Sequence, residues 1–489
     1  MKKIYSITSL LSLFAFSAFS ADLTGIVASD AGGKWSEAST WTTPDNQVPA
    51  SSSSDTYYSS LTVGTGKLVV DKENVYVKRL IANTSGSEIE IASGKSFTWK
   101  QTGVNDTKNN IIDLILDGSA ITFSGDGTLN LNTANWYKGS ITINTKTNAS
   151  GSLILYPASQ LTINEEFNGA GKFELTVGGN SANNKININA NTSIRVLNSH
   201  SQGLTTVAKD VSLTVTRFIY MNNPAQVVIN GALNITTDNT NWAPYANIGT
   251  ASLMIGTLDN NISRAPTFTL NAGATANVGN VGSNICSIAN AATINLAGSL
   301  NAKTFARLYN KSVLNMQGGT FSADKIVIAN YKTTVTRPTN MSAEVWTNST
   351  ADTVVTINVT DTSKILSTIA FDDDTVADIN TKNSYLNIDF SNLADGETLT
   401  ISNITGLTSI GANSNRIVVL NNYKDGALVV SSQLEKDGEY VKGIYGDVAG
   451  TIKYYQLADG SITAIPEPAE WAAIFGAIAL GFVAYRRRK

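Results

Sequence analysis

Residues 227–236 read VVINGALNIT. Three later stretches repeat their shape: FTLNAGATANV at 268–278, TINLAGSLNAK at 293–303 and LNMQGGTFSAD at 314–324. Each puts apolar side chains at every second position, breaks at a glycine and then resumes the alternation. Period-two alternation marks a strand with one buried face, and a glycine between two such runs marks a tight corner. The four glycines, Gly231, Gly273, Gly298 and Gly318, stand 42, 25 and 20 residues apart. If the first interval hides two units, the period is 20–25 residues, which is a solenoid period. Gly94 in IASGKSF and Gly118 in ILDGSAI, 24 apart, fit the same template. The glycines are expected to supply positive φ at corners. The many asparagines tolerate such bends and can stack as hydrogen-bonded ladders.

The predicted fold is all-β: a right-handed parallel β-helix, or β-solenoid. One coil buries too little to be stable, whereas stacked coils bury a continuous apolar column. About 430 residues give on the order of 20 coils and a rod approaching 100 Å at about 4.8 Å per coil. The rival all-β arrangement is two or three sandwiches. No amphipathic helix is expected between residues 22 and 460. The expected organisation is a signal peptide at 1–20, a cap at 21–71 and the solenoid at 72–340. Last coils or a small β end domain follow at 341–460, then a linker and a sorting or transmembrane segment at 461–489.

Composition removes several function classes. Lys and Arg number 35 against 38 Asp and Glu. Six of the cations, Lys2, Lys3, Arg486, Arg487, Arg488 and Lys489, sit at the two ends, and without them the balance is 29 against 38. A nucleic-acid binder needs a basic patch, and the middle of the chain has none. Cys286 is the single cysteine, so no internal disulfide can form, and the alternation around it predicts a small buried side chain. His200 is the single histidine, which removes two-histidine metal sites and histidine-activated nucleophiles. Asp372-Asp373-Asp374 and Glu165-Glu166 read as solvated acidic turns. Adjacent carboxylates do not make a glycosidase pair, because on a β-helix the pair comes from different coils. No cofactor and no metal site is expected.

The N-terminal segment reads as a secretion signal: Lys2 and Lys3, the apolar run LLSLFAFSAF, then small residues at Ala18 and Ser20, with cleavage after Ser20 or Ala21. The stretch IPEPAEWAAIFGAIALGFVAYRRRK at 465–489 has no charge from Trp471 to Tyr485. Those fifteen residues make about 22 Å of helix, short against a bilayer core of about 30 Å. Trp471 and Tyr485 suit the two interfaces, and Arg486, Arg487 and Arg488 can snorkel and hold that end on the cytoplasmic side. Pro466 and Pro468 keep Glu467 extended and outside the helix. This is either a stiff spacer on a tail anchor or a strand that a processing enzyme can grip.

The order Pro466-Glu467-Pro468, Trp471, short apolar helix, Arg-rich end resembles the PEP-CTERM sorting domain. It covers about a twentieth of the chain. The resemblance implies recognition by an exosortase-like membrane transpeptidase, with Pro466, Glu467 and Pro468 as the recognition residues. It further implies transient retention in the inner membrane of an exopolysaccharide-producing bacterium, then transfer to the cell surface or biofilm matrix. Trp35, Trp41, Pro49, Asp55 and Asp71 resemble the Trp-x5-Trp opening of some bacterial surface β-helix proteins and G8-like domains. Physically, those aromatics either cap the open end of the first coil or stack on sugar rings. Two functions follow as expectations. The first is a non-enzymatic surface or matrix protein with a structural or adhesive rod, for which exopolysaccharide is a candidate partner. The second is a polysaccharide lyase or hydrolase with the same sorting tail. A flat face of Asn, Thr and Ser would favour the first, and carboxylates converging from neighbouring coils the second.

Overall fold

The structure is a computed structural model. It describes residues 26–42, 48–49, 58, 60–78, 80–82, 85–100, 114–155, 159–177, 184–199, 202–221, 224–236, 251–256, 265–279, 285–288, 291–303, 305–328, 335–336, 345–346, 352–371, 383–412, 414–464, 475–480, 483 and 486. The expected signal segment at 1–20, Asp55, His200 and Asp372-Asp373-Asp374 lie outside these.

The alternating segments are strands, and they pair in parallel with the equivalent segment of the next coil. One coil runs through three sheets. Gln226–Ile229 lies in the first, Ala232–Ile235 in the second and Ala251–Ile255 in the third. The chain then re-enters the first sheet at Thr267–Leu270, directly beside Gln226–Ile229. The long strand Thr128–Ile143 shows the winding without interruption. Its start pairs in the second sheet, with Ser96–Lys100, and its end in the first, with Gln160–Ile163.

In-register stacking produces the core. In the first sheet Leu68, Ile89, Phe123, Ile143, Ile163, Ile188, Val207, Ile229, Leu270, Leu296, Met316 and Val359 follow one another coil by coil. None of them is more than 1% exposed. Each fully buried aliphatic side chain contributes about 1.5–3 kcal/mol against exposure, so the column, rather than any one coil, carries the stability. From Gly33–Lys34 to Ile444–Tyr445 the first sheet has sixteen successive strands among the described residues. At about 4.8 Å a step this is a rod of roughly 70 Å.

The rod is shorter than the repeat length implied, because several coils are long: the 42-residue interval is a single coil, Val313 pairs with Thr356, 43 on, and Ser87 with Ile121, 34 on. Ala232 pairs with Thr275, and Asn234 with Asn277, 43 positions on. Coil length therefore varies about twofold while the register of the core column holds. The corner glycines also divide by cause. Gly273 and Gly318 have φ of +80° and +88°, as expected. Gly231 and Gly298 do not; a Cβ there would stand 2.2 Å from the Val211 carbonyl oxygen and 2.3 Å from that of Ala274. These two positions need glycine because the neighbouring coil passes too close. Gly118 falls inside the strand Leu114–Ser124, at a register shift.

Both ends of the ladder are covered. At the start, Trp35 and Trp41 are buried at 1% and 2% exposure, with ring centroids 4.6 Å apart at 71°. The Trp41 Nε1 donates to the Trp35 carbonyl at 3.0 Å. Asp71 accepts from the backbone N–H and the hydroxyl of Ser36, tying this segment to the next coil. The buried tryptophans leave no free ring face for a sugar, so the stacking alternative fails and the capping one fits.

At the far end, Lys436–Asp437 with Tyr440–Val441 and Tyr455–Gln456 with Ile462–Thr463 form two small antiparallel pairs. The Gln456 amide plugs the last coil: Nε2 donates to the carbonyls of Val430 and Ser432, both at 2.9 Å, and Oε1 accepts from the Leu434 N–H at 2.8 Å. Gly426 and Val430 donate to the carbonyls of Ile462 and Gly460, so this edge does not offer itself to another chain. The exposed carboxylates here are held below the usual carboxylate range by local donors: Lys424 for Asp395, Thr451 for Asp447 and Ser461 for Asp459.

Candidate functional site

The outward positions of the second sheet form a polar column: Tyr76, Thr98, Asn130, Asn148, Asn168, Ser193, Thr214, Asn234, Asn277, Asn301 and Ser322, in parallel register. Alternation puts their neighbours Leu129, Phe167, Leu213 and Leu300 into the core and turns these side chains outward, Thr98 alone being buried among them. The amides bond along the rod. Asn277 donates to Asn234 at 2.9 Å, Asn301 to Asn277 at 3.0 Å and the Ser322 hydroxyl to Asn301 at 2.7 Å. Near the start, Asn148 donates to Asn130 at 3.4 Å and Asn130 to Thr98 at 3.3 Å. A matching ladder on the first sheet joins Thr269, Asn295, Asn315 and Asn358. A corner ladder joins Asn144, Asn164 and Asn189. The expected asparagine ladders are therefore present, and in three columns.

The second-sheet column opens into a groove of about 520 Å³ over Tyr76, Thr98, Asn130, Asn132, Asn148, Ser150, Asn168 and Lys172. Among the described residues its lining has no carboxylate, and Lys172 is its only charge. The amide ladder is interrupted inside it. Asn168 accepts from the Ser193 hydroxyl at 3.2 Å, and no hydrogen bond joins Asn168 to Asn148.

A second groove, about 570 Å³, follows the corner between the first and second sheets and is lined by Glu166, Ala190, Asn191, Asp210 and Val211. Glu166 and Asp210 come from coils two apart. Glu165 and Glu166 are exposed corner residues, as read from the sequence. Glu88 and Glu90 also meet, but across Lys67, whose ammonium lies 3.1 and 2.8 Å from them. Among the described residues no group of three His, Cys, Asp or Glu could hold a metal ion. Cys286 pairs in register with Leu253 and Ala306, both fully buried.

Of the C-terminal segment expected to act as a sorting signal, Pro466, Glu467, Pro468, Trp471, Tyr485, Arg487 and Arg488 lie outside the described residues. Residues 475–480 are helical, and Arg486 is helical and exposed. Phe475, Ile478, Leu480 and Val483 are 61%, 50%, 72% and 51% exposed. Among the described residues no helix is long and apolar enough to cross a membrane.

The groove residues Tyr76, Asn130, Asn148, Asn168 and Lys172 have no motif that would single them out. The signal that could have found them is the column itself, visible once the repeats are aligned by their buried positions. No protein-family profile, no curated protein and no solved structure matches this chain.

Proposed function

We propose that this is an exported cell-surface or extracellular-matrix protein: a right-handed β-solenoid, the hand parallel crossovers adopt, that serves as a structural or adhesive rod. An exosortase-like membrane transpeptidase reads Pro466, Glu467 and Pro468 after the apolar segment from Trp471 to Tyr485 has paused in the inner membrane, anchored by Arg486, Arg487 and Arg488. The observation that carries this reading is the exposed apolar helix. Phe475, Ile478 and Leu480 present large exposed side chains beyond Ile462–Thr463, the last strand among the described residues. Exposed apolar surface of this kind marks a membrane or protein contact, and the flanking Pro-Glu-Pro and arginines favour the membrane.

The test is the mass of the C-terminal peptide of the protein taken from its native host's surface. A terminus near Glu467, without residues 471–489, is expected. An intact Arg-Arg-Arg-Lys end on most molecules would mean a plain tail anchor and remove the transpeptidase from the account.

A second reading, a polysaccharide-cleaving enzyme with the same tail, is favoured by one observation: Glu166 and Asp210 line one corner groove. Two rungs separate their backbones by about 10 Å, near the roughly 6.5–9.5 Å at which inverting hydrolases hold their carboxyl groups. Under this reading the protein releases new reducing ends from its host's exopolysaccharide, and Glu166→Gln with Asp210→Asn lowers that release at least a hundredfold. No release by the parent protein sinks it.

A further inference from the structure

The geometry points to the second-sheet groove as a binding subsite for an acidic, uronate-containing polysaccharide. This deepens the surface-protein reading and rests on it. Three features carry the inference. Asn130 spends one N–H on Thr98 and one lone pair on Asn148, and Asn148 spends one N–H on Asn130, which leaves each amide an N–H and a lone pair to face across the rod. Asn130 and Asn148 therefore present a donor and an acceptor to the groove at every rung, about 4.8 Å apart, a spacing suited to a chain of hydroxyls. The ladder breaks where the groove lies: Asn168 gives no hydrogen bond to Asn148, so its amide N–H groups remain available to a ligand. Farther along the rod Asn234, Asn277, Asn301 and Ser322 bond without a break.

The remaining lining sets the ligand class. Tyr76 contributes an aromatic ring at one end, whose negative face packs against the C–H edges of a sugar. Lys172, exposed at the other end, meets no carboxylate in the lining. A carboxylate on the ligand supplies the missing partner, while a phosphate-rich or nucleic-acid ligand would need several cations. The open polar groove suits one strand of a hydrated polymer rather than a compact apolar ligand.

The experiment uses the full mature chain in detergent and two probes, alginate as the polyuronate and dextran as the neutral glucan, at physiological ionic strength. Alginate is expected to bind at least tenfold more tightly than dextran. Tyr76→Ala and Asn148→Ala should each weaken alginate binding about fivefold to tenfold, and Lys172→Gln should erase the preference over dextran. Asn301→Ala breaks a ladder bond of the same kind outside the groove and should leave binding unchanged, which separates ligand contact from damage to the ladder. Equal alginate binding by the parent, Tyr76→Ala and Asn148→Ala proteins overturns the subsite. So does equal loss in Asn301→Ala, or no alginate binding at all. The C-terminal peptide of Tyr76→Ala, isolated from the host, should still end near Glu467. A lost subsite with a cleaved tail rejects this inference alone, whereas an uncleaved tail rejects the sorting reading whatever the groove binds.

Discussion

A Trp41→Ala variant should lose about 3–5 kcal/mol at the start of the rod and almost nothing beyond it. The substitution removes a fully buried ring, its edge contact with Trp35 and the hydrogen bond from Nε1 to the Trp35 carbonyl. In a stacked array each unit contacts only its neighbours, so stability is close to a sum of local terms. Amide hydrogen exchange reads those terms separately. Exchange at Leu61–Val63 and Lys67–Val70 should speed up by roughly a hundredfold or more, at tenfold per 1.4 kcal/mol. Exchange at Thr293–Leu296, many coils away, should not change. Faster exchange along the whole rod would mean that the solenoid opens as one unit and that the tryptophans do more than cap it.

The same small substitution at two glycines should give unequal losses. At Gly273, φ is +80° and no atom lies within 4 Å of where an added methyl would sit, so Gly273→Ala meets only backbone strain. That is about 1–2 kcal/mol. At Gly231 the new methyl carbon would stand 2.2 Å from the Val211 oxygen and 2.5 Å from that of Ala208. Two coils must separate there, and the bond from the Ala232 N–H to the Val211 carbonyl, 2.8 Å long, stretches with them. Overpacking costs about 1–3 kcal/mol and occasionally more, and two rigid backbone oxygens put this site at the upper end, so Gly231→Ala should unfold at a lower urea concentration than Gly273→Ala. The reverse order would show that the coil spacing at this corner is softer than the geometry implies.

Alternation alone identified the strands, because the direction of a side chain from a strand is local: residues i and i+2 share a face whatever the partner is. The glycine breaks located the corners for a similar reason. The parallel β-helix character followed from the likeness of successive segments, and Trp35, Trp41 and Asp71 could be placed at the first coil from their position before it. Coil length was not legible. Nothing between Gly231 and Gly273 says whether 42 residues make one turn of the rod or two, since only the pairing of Ala232 with Thr275 decides it. The two causes of glycine were equally hidden. A positive φ and a carbonyl 2.2 Å away demand the same residue, and the second depends on a coil 20 positions earlier.

The candidate sites divide along the same line. Pro466, Glu467, Pro468, Trp471 and the arginines are contiguous, so a sequence can display them. The groove and the corner are made by stacking. Asn130, Asn148 and Asn168 lie 18 and 20 residues apart, as do many asparagines in this chain, and become neighbours only through the register of Thr128–Ile143, Lys146–Leu155 and Phe167–Asn168. Glu166 and Asp210 share a groove for the same reason. Local chemistry determined the strands and the corners, and it displays the C-terminal segment on which the sorting proposal rests. Which surface residues stand side by side was decided only when the buried columns, each needing its apolar faces in line, set the register of one coil on the next.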